Sequence, residues 1–393
     1  MSLSVSKRVQ RVKPSPTMAV TALAAELRAA GRDIIGLGAG EPDFDTPQHI
    51  KDAAIEAINK GDTKYTNVDG TPALKKAIID KFKRENELDY APNQILVSSG
   101  GKQSCYNVCM AVLNQGDECV IPAPYWVSYP DMVLLADGVP VPVMAGLDQG
   151  FKITPAQLKA VLTDRTRLMF LNSPSNPTGA AYTKAELQAL GAVLRDYPQV
   201  LIATDDMYEH IYWADEPFTS FAQANPDLYE RTLTMNGVSK AYAMTGWRIG
   251  YCGGPANIVK AMKDIQSQST SNPVSISQAA SVAALTGGNE CIQEMLVHFR
   301  QRHDYLVAAL NDIPGFKCAP GAGTFYAFPD VSEAMAAKGC AADTDFSALL
   351  LNEGEVALVP GSAFGAPGYI RLSFATSMEK LEGAIERIKR VMG

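Results

Sequence analysis

The stretch Ile95-Leu96-Val97-Ser98-Ser99-Gly100-Gly101-Lys102, continuing to Leu113, reads as a short buried strand, a glycine turn and a helix. An apolar run of this length, ended by a turn, suits a strand better than a helix. The pattern recurs downstream. Glu118-Cys119-Val120-Ile121, Leu168-Met169-Phe170-Leu171, Val200-Leu201-Ile202-Ala203 and Thr232-Leu233-Thr234-Met235 are strand-like runs, and 184–196 has helical character. Such alternation predicts an α/β fold: a mostly parallel sheet flanked by helices on both faces.

After about Gly287 the alternation stops. A long helical stretch at 290–311 leads to Phe325-Tyr326-Ala327-Phe328, Val356-Ala357-Leu358-Val359 and Tyr369-Ile370-Arg371-Leu372-Ser373-Phe374. This predicts a smaller α+β domain, with which the segment containing a helix at 19–30 is expected to pack. The expected division is a large domain at 47–286 and a discontinuous small domain, 1–46 with 287–393. A chain of 393 residues is long enough for both.

A composition of 47 % hydrophobic and 20 % charged residues is that of an ordinary globular protein. The net charge of −7 argues against a nucleic-acid partner but leaves room for a local basic pocket. No apolar run approaches membrane-spanning length, and 1–13 lacks the apolar core of a signal peptide. No membrane partner is expected, and a cytoplasmic location is. The seven cysteines include no Cys-x-x-Cys pair, which fits a reducing compartment. The histidines show no metal-site spacing, and Tyr208-Glu209-His210 has no second histidine or cysteine near it in sequence, so no metal is expected.

In open α/β sheets ligands bind beyond the carboxyl ends of the strands. Unusual residues gather at those ends. Gly100-Gly101 opens a helix whose N–H groups suit an anion, though taken alone the pair reads first as a simple turn. It is not a Walker A loop, and Gly36-Leu37-Gly38-Ala39-Gly40-Glu41 is not a dinucleotide fingerprint. Trp126, in Pro122-Ala123-Pro124-Tyr125-Trp126, suits stacking on a flat ring or ordinary core packing. Asn176 sits in the stiff loop Asn172-Ser173-Pro174-Ser175-Asn176-Pro177-Thr178-Gly179. Asp205, at the end of a buried strand, is costly unless paired, and Tyr208 follows three residues on. The bland reading of Asp205-Asp206 is a helix cap followed by a solvated acid.

Lys240 lies in Gly237-Val238-Ser239-Lys240-Ala241-Tyr242-Ala243-Met244-Thr245-Gly246-Trp247-Arg248-Ile249-Gly250. Apolar surroundings and a nearby arginine disfavour an ammonium, leaving an amine able to attack an aldehyde. Arg248 offers a donor fork matched to phosphate. An aldehyde carrying a phosphate points to pyridoxal phosphate, whose ring nitrogen needs an acid such as Asp205. The alternative is a surface lysine in a glycine-containing loop.

With these residues assembled, the chain resembles the class I aminotransferases of pyridoxal-phosphate fold type I. It looks most like the bacterial aspartate aminotransferases that share activity with prephenate aminotransferases. Gly40-Glu41-Pro42-Asp43-Phe44, Thr63-Lys64-Tyr65, Pro124-Tyr125-Trp126-Val127-Ser128-Tyr129-Pro130 and Met244-Thr245-Gly246-Trp247-Arg248-Ile249-Gly250 carry the resemblance. It implies that Lys240 binds the cofactor covalently and shuttles the proton. Asp205 would hold the ring nitrogen, Asn176 and Tyr208 the ring hydroxyl, and Trp126 the ring face. Gly100, Gly101, Ser239 and Arg248 would hold the phosphate, with Tyr65 contributed by the other subunit of a homodimer with shared active sites. Arg371 would clamp the substrate α-carboxylate against Gly40. Lys102, Ser15 and Thr17 would read a side-chain carboxylate, and Lys13 matches a position associated with prephenate.

The implied activity is amino transfer between aspartate or glutamate and a 2-oxo acid. The alternatives are an aminotransferase of aromatic or other neutral amino acids, or a C–S lyase on the same fold. Ser175, Asp206 and Gly237 depart from the residues common in relatives, and Gly237 stands where some carry a phosphate-binding serine. For Arg371 alone, a surface ion pair is the bland reading.

Overall fold

The computed structural model describes residues 3–14 and 16–393. Its centre is a seven-stranded sheet of β1 (Ile95–Ser98), β2 (Glu118–Ala123), β3 (Val139–Met144), β4 (Thr166–Asn172), β5 (Leu201–Asp205), β6 (Thr232–Gly237) and β7 (Gly250–Gly253). The spatial order is β1-β7-β6-β5-β4-β2-β3. β7 runs antiparallel to both its neighbours, and every other pairing is parallel.

The apolar runs read from the sequence correspond to β1, β2, β4, β5 and β6. β3 and β7 give no such signal. Pro140 and Pro142 deprive β3 of ladder donors, which an edge strand tolerates, and β3 pairs with β2 alone. β7 is bounded by glycines for steric reasons. A Cβ on Gly250 would lie 2.2 Å from the Gly101 nitrogen.

Alternation along the strands sends successive residues to opposite faces. Leu168 and Phe170 join Cys105, Val108 and Met262 in one apolar cluster, while Met169 and Leu171 join Leu187, Leu190 and Leu194 in another. The helices Gly101–Val112 and Ala256–Ser267 thus cover one face, and Lys184–Leu194 lies on the other.

In the C-terminal part, Val359–Pro360, Ile370–Ser373 and Tyr326–Ala327 form a three-stranded antiparallel sheet. The run Val356-Ala357-Leu358-Val359, expected as one strand, divides between two sheets: Val356–Ala357 pairs in parallel with Ile35–Gly36. Ile35 and Leu37 share a core with Phe299, Leu350, Leu372 and Ile385, and the helix Pro16–Ala29 buries Ala24 beside Leu351. The helix Glu290–Asn311 spans both cores, giving Ile292 to the large-sheet side and Phe299 and Leu306 to the other. Among the described residues no helix is long and apolar enough to cross a membrane.

Candidate active site

The carboxyl ends of β4, β5 and β6 meet the C-terminal sheet around a cavity of about 530 Å³. Asp205, the last residue of β5, is buried in its floor. Its Oδ2 accepts the Tyr129 hydroxyl at 2.6 Å and its Oδ1 accepts the Met207 N–H at 3.3 Å. Burial raises its pKa, while both hydrogen bonds and the charge of Lys240 oppose the rise. A carboxylate so placed gains most from a cation arriving in the cavity. Asn172, at the end of β4, fixes the strand by donating to the Asp205 carbonyl at 2.7 Å and accepting the Asn176 N–H at 2.8 Å.

Lys240 enters from the segment after β6 and donates to the Gly40 carbonyl. Burial lowers its pKa to about 8; Arg371 and Arg248 add to the shift, and Glu41 and Asp205 oppose it. Lys240 lines the cavity.

Arg248 adopts a left-handed backbone, φ 57°, and its Nη1 donates to the Thr245 carbonyl at 2.8 Å. Its guanidinium lies where a side chain on Gly100 would be, since a Cβ there would fall 2.1 Å from Nη2. Gly100, at φ 89°, caps the helix Gly101–Val112. The guanidinium, the helix N-terminus and nearby Ser239 therefore converge, a geometry suited to phosphate. Gly237 is also explained sterically, because a Cβ would meet the Ile249 carbonyl and Met207 Cε at 3.0 Å.

Arg371, on the strand Ile370–Ser373, is 2 % exposed, which removes the surface ion-pair reading. It donates to Asn176 Oδ1 at 2.9 Å and to the Gly38 carbonyl at 2.7 Å, and among the described residues its Nε has no partner. The guanidinium lies 4.3 Å from the Tyr326 ring centroid and 5.1 Å from that of Phe364. Lys102 sits 5.0 Å from the centroid of Trp126. Among the described residues, no carboxylate forms an ion pair with Lys102, Lys240, Arg248 or Arg371. In an acidic protein, this concentration of unpaired positive charge marks an anion site.

Thr17, Gly40, Gly101, Trp126, Asn176 and Tyr208 also line the cavity. Lys13 and Tyr65 are exposed and lie outside it, and Ser15 falls outside the described residues. Two contributors lack a sequence signal. The Tyr326 hydroxyl is 3.0 Å from that of Tyr208 and would touch any Cβ at Gly40, also at 3.0 Å. Tyr129 reads as a core aromatic until its hydroxyl is seen on Asp205.

Asp206 is not the solvated acid of the bland reading. It is 2 % exposed, its Oδ2 has no partner among the described residues, and burial pushes its pKa well up. The fold does bring Glu85 to Glu209 and His210, with ligand atoms within 4.8 Å of one another. The ammonium of buried Lys81 already bridges Glu209 and Glu85, and Asn86 and Asn236 donate to Glu209 at 2.9 and 2.8 Å. That group is an ion-pair network.

A phosphorylated pyridine aldehyde fits this cavity: Arg248 and the Gly100 cradle suit its phosphate, Asp205 its ring nitrogen, Trp126 its face and Lys240 its aldehyde carbon. Comparison with known proteins agrees. Residues 32–388 match the family model of aminotransferase class I and II. The aspartate/prephenate aminotransferase of Nitrosomonas europaea is 58 % identical, over 99 % of this chain and 100 % of that protein. The crystal structure of an aspartate aminotransferase from Rhizobium meliloti superposes with a TM-score of 0.95 at 47 % identity, covering 100 % of this chain and 99 % of the other. A Thermus thermophilus aspartate aminotransferase with maleate gives 0.93 at 42 % identity, covering 99 % and 100 %. The chain belongs to the class I and II aminotransferases, with the fold type I architecture, and its cofactor is pyridoxal phosphate.

Proposed function

We propose that the protein moves an amino group between an acidic amino acid, aspartate or glutamate, and a 2-oxo acid. The observation that carries this is the set of cations around Lys240 that, among the described residues, have no carboxylate partner: Arg248 and Lys102 at the start of the helix Gly101–Val112, and buried Arg371 on the strand Ile370–Ser373. Together these cations suit one phosphate and the two carboxylates of a dicarboxylic substrate. The similar Thermus thermophilus enzyme holds maleate, also a dicarboxylate.

Bound pyridoxal phosphate supplies an aldehyde carbon for the amino group and a ring that withdraws electrons from the substrate Cα. The remaining work belongs to the chain. Arg371 clamps the α-carboxylate with donors not taken by Asn176 and the Gly38 carbonyl. The Gly40 backbone limits the substrate on one side. Lys240 would hold the cofactor's aldehyde carbon and, as a free amine with its pKa lowered to about 8, would take the proton from the substrate Cα as a general base. Asp205 would keep the ring nitrogen protonated, and Asn176 and Tyr208 would hold the ring hydroxyl. Gly100, Gly101, Ser239 and Arg248 hold the phosphate. Lys102 and Thr17, with Ser15, receive the side-chain carboxylate. Prephenate as a further acceptor is supported by the Nitrosomonas europaea relative, an aspartate/prephenate aminotransferase, and Lys13 lies on the arm leading to Thr17.

The active unit is proposed to be a homodimer in the cytoplasm. Tyr65 is 92 % exposed, and Ile55, Ile58 and Val274 are also more than half exposed. Apolar exposure on this scale suits an interface through which Tyr65 reaches the phosphate of the neighbouring subunit. The chain is proposed to divide into 47–286 and 1–46 with 287–393, supported by the separate cores around Phe170 and Phe299.

Replacing Lys102 with alanine tests the substrate class. Single-turnover rates with aspartate should fall about tenfold, the value of one charge-assisted hydrogen bond, while those with phenylalanine should hardly change. Wild-type protein reacting faster with phenylalanine than with aspartate would refute the dicarboxylate reading.

A further inference from the structure

Tyr129 stands at the start of the helix Tyr129–Leu135, behind the cavity rather than in its lining. Its side chain is 1 % exposed and locked on two sides by aromatic rings. It stacks on Phe170 of β4, with centroids 4.5 Å apart and planes 12° from parallel. It also meets Trp126 edge to face at 5.3 Å and 86°. That packing leaves the ring little freedom to rotate and aims the hydroxyl at Asp205 Oδ2, 2.6 Å away.

We propose that Tyr129 is a positioning residue: its hydroxyl orients the Asp205 carboxylate, stabilises it as an anion, and ties it to the wall that carries Trp126. The proposal deepens the reading given above for Asp205 and rests on it. Among the described residues, the Asp205 carboxylate accepts hydrogen bonds from the Tyr129 hydroxyl and the Met207 N–H alone. The other titratable groups around it are Lys240, Cys105, Tyr208 and Asp206. Lys240 is the cation of that set, and it points to Gly40. The hydroxyl is therefore the side-chain donor holding the negative charge on Asp205, against burial, which favours the neutral acid.

The consequence falls on the ring nitrogen. A carboxylate with one donor fewer binds a proton more tightly, so the shared proton moves from the ring nitrogen toward Asp205. The ring then withdraws electrons less well. Substrate binding is unaffected, because Arg371 and Lys102 do not touch Tyr129.

Tyr129→Phe removes the oxygen and preserves both aromatic contacts. In full-length holoenzyme loaded with ¹⁵N-ring-labelled pyridoxal phosphate, the nitrogen resonance should move toward the unprotonated position. In the same protein kcat should fall about tenfold with KM nearly constant. Incorporating 3-fluorotyrosine at position 129, a stronger donor that keeps the hydroxyl, should move the resonance the other way. A resonance unmoved by both changes, or one that moves while kcat does not, overturns the proposal.

Asp205→Asn separates the two layers of the argument. If its ring nitrogen loses the proton while Tyr129→Phe shifts nothing, the role of Tyr129 alone is wrong. If the nitrogen stays protonated in Asp205→Asn, the role of Asp205 fails, and that of Tyr129 with it.

Discussion

Lys240→Ala is expected to lower turnover on the order of 10⁴-fold or more, because one amine serves as both the covalent anchor and the proton carrier. The loss should be confined to chemistry. Among the described residues the side chain makes a single hydrogen bond, to the Gly40 carbonyl, and its burial disfavours the charge it carries. The folded pKa of about 8 lies below the ordinary lysine value of 10.5. Between those values the unfolded chain binds more protons than the folded one, so stability rises with pH. Below pH 8 the ammonium costs stability in full, and the cost fades as pH climbs toward 10.5. Cofactor-free Lys240→Ala should therefore melt no lower than cofactor-free wild type at pH 7, with any advantage shrinking by pH 10. The same pKa governs cofactor uptake: its rate in wild type should climb through pH 8 and level off above it. A rate independent of pH from 7 to 9 would remove Lys240 as the attacking amine.

Arg371→Leu should reduce kcat/KM for aspartate roughly 10²- to 10³-fold, the range for losing one partner of a buried, hydrogen-bonded charge pair. The argument turns on what surrounds the guanidinium before substrate arrives. It is buried between the Tyr326 and Phe364 rings and hydrogen-bonded to Asn176 and Gly38, and among the described residues its Nε has no partner. Burying a cation without an anion is costly, and the substrate carboxylate relieves the cost. Leucine removes the charge and some packing together, so the melting temperature of the cofactor-free protein should change little. Arg371→Lys should recover little activity, because a lysine cannot present two donors in one plane. Unimpaired kcat/KM in Arg371→Leu would place the α-carboxylate elsewhere.

The sheet was legible where the chain obeyed simple rules. β1, β2, β4, β5 and β6 are apolar runs buried on both faces, and burial on both faces is what makes such runs continuous. β3 was hidden by Pro140 and Pro142, which a strand at the rim can carry. β7 was hidden by its glycines: Gly250 leaves room for the Gly100-Gly101 turn and Gly253 for the Tyr90 ring. The break at Leu358 has no local cue, since the same apolar run suits one sheet or two.

At the site, Asp205 and Lys240 stood out in the sequence as charged residues in apolar settings, and the structure buries Asp205 and Arg371; Arg248 stood out by its spacing from Lys240. Tyr129 and Tyr326 did not. Both lie among apolar residues, and their hydroxyls acquire partners only when distant segments meet. Lys81 was concealed for a similar reason: a lysine in the helix Pro72–Asn86 looks solvent-facing until Glu209 arrives from the turn after β5.

Borohydride reduction of the cofactor-saturated protein, followed by peptide mapping, reports where pyridoxal phosphate is attached. The expected product is a pyridoxyl group on the peptide containing Ser239-Lys240-Ala241. A peptide from that region recovered unmodified, with the label on another lysine or on none, would contradict the assignment of Lys240 and the mechanism built on it.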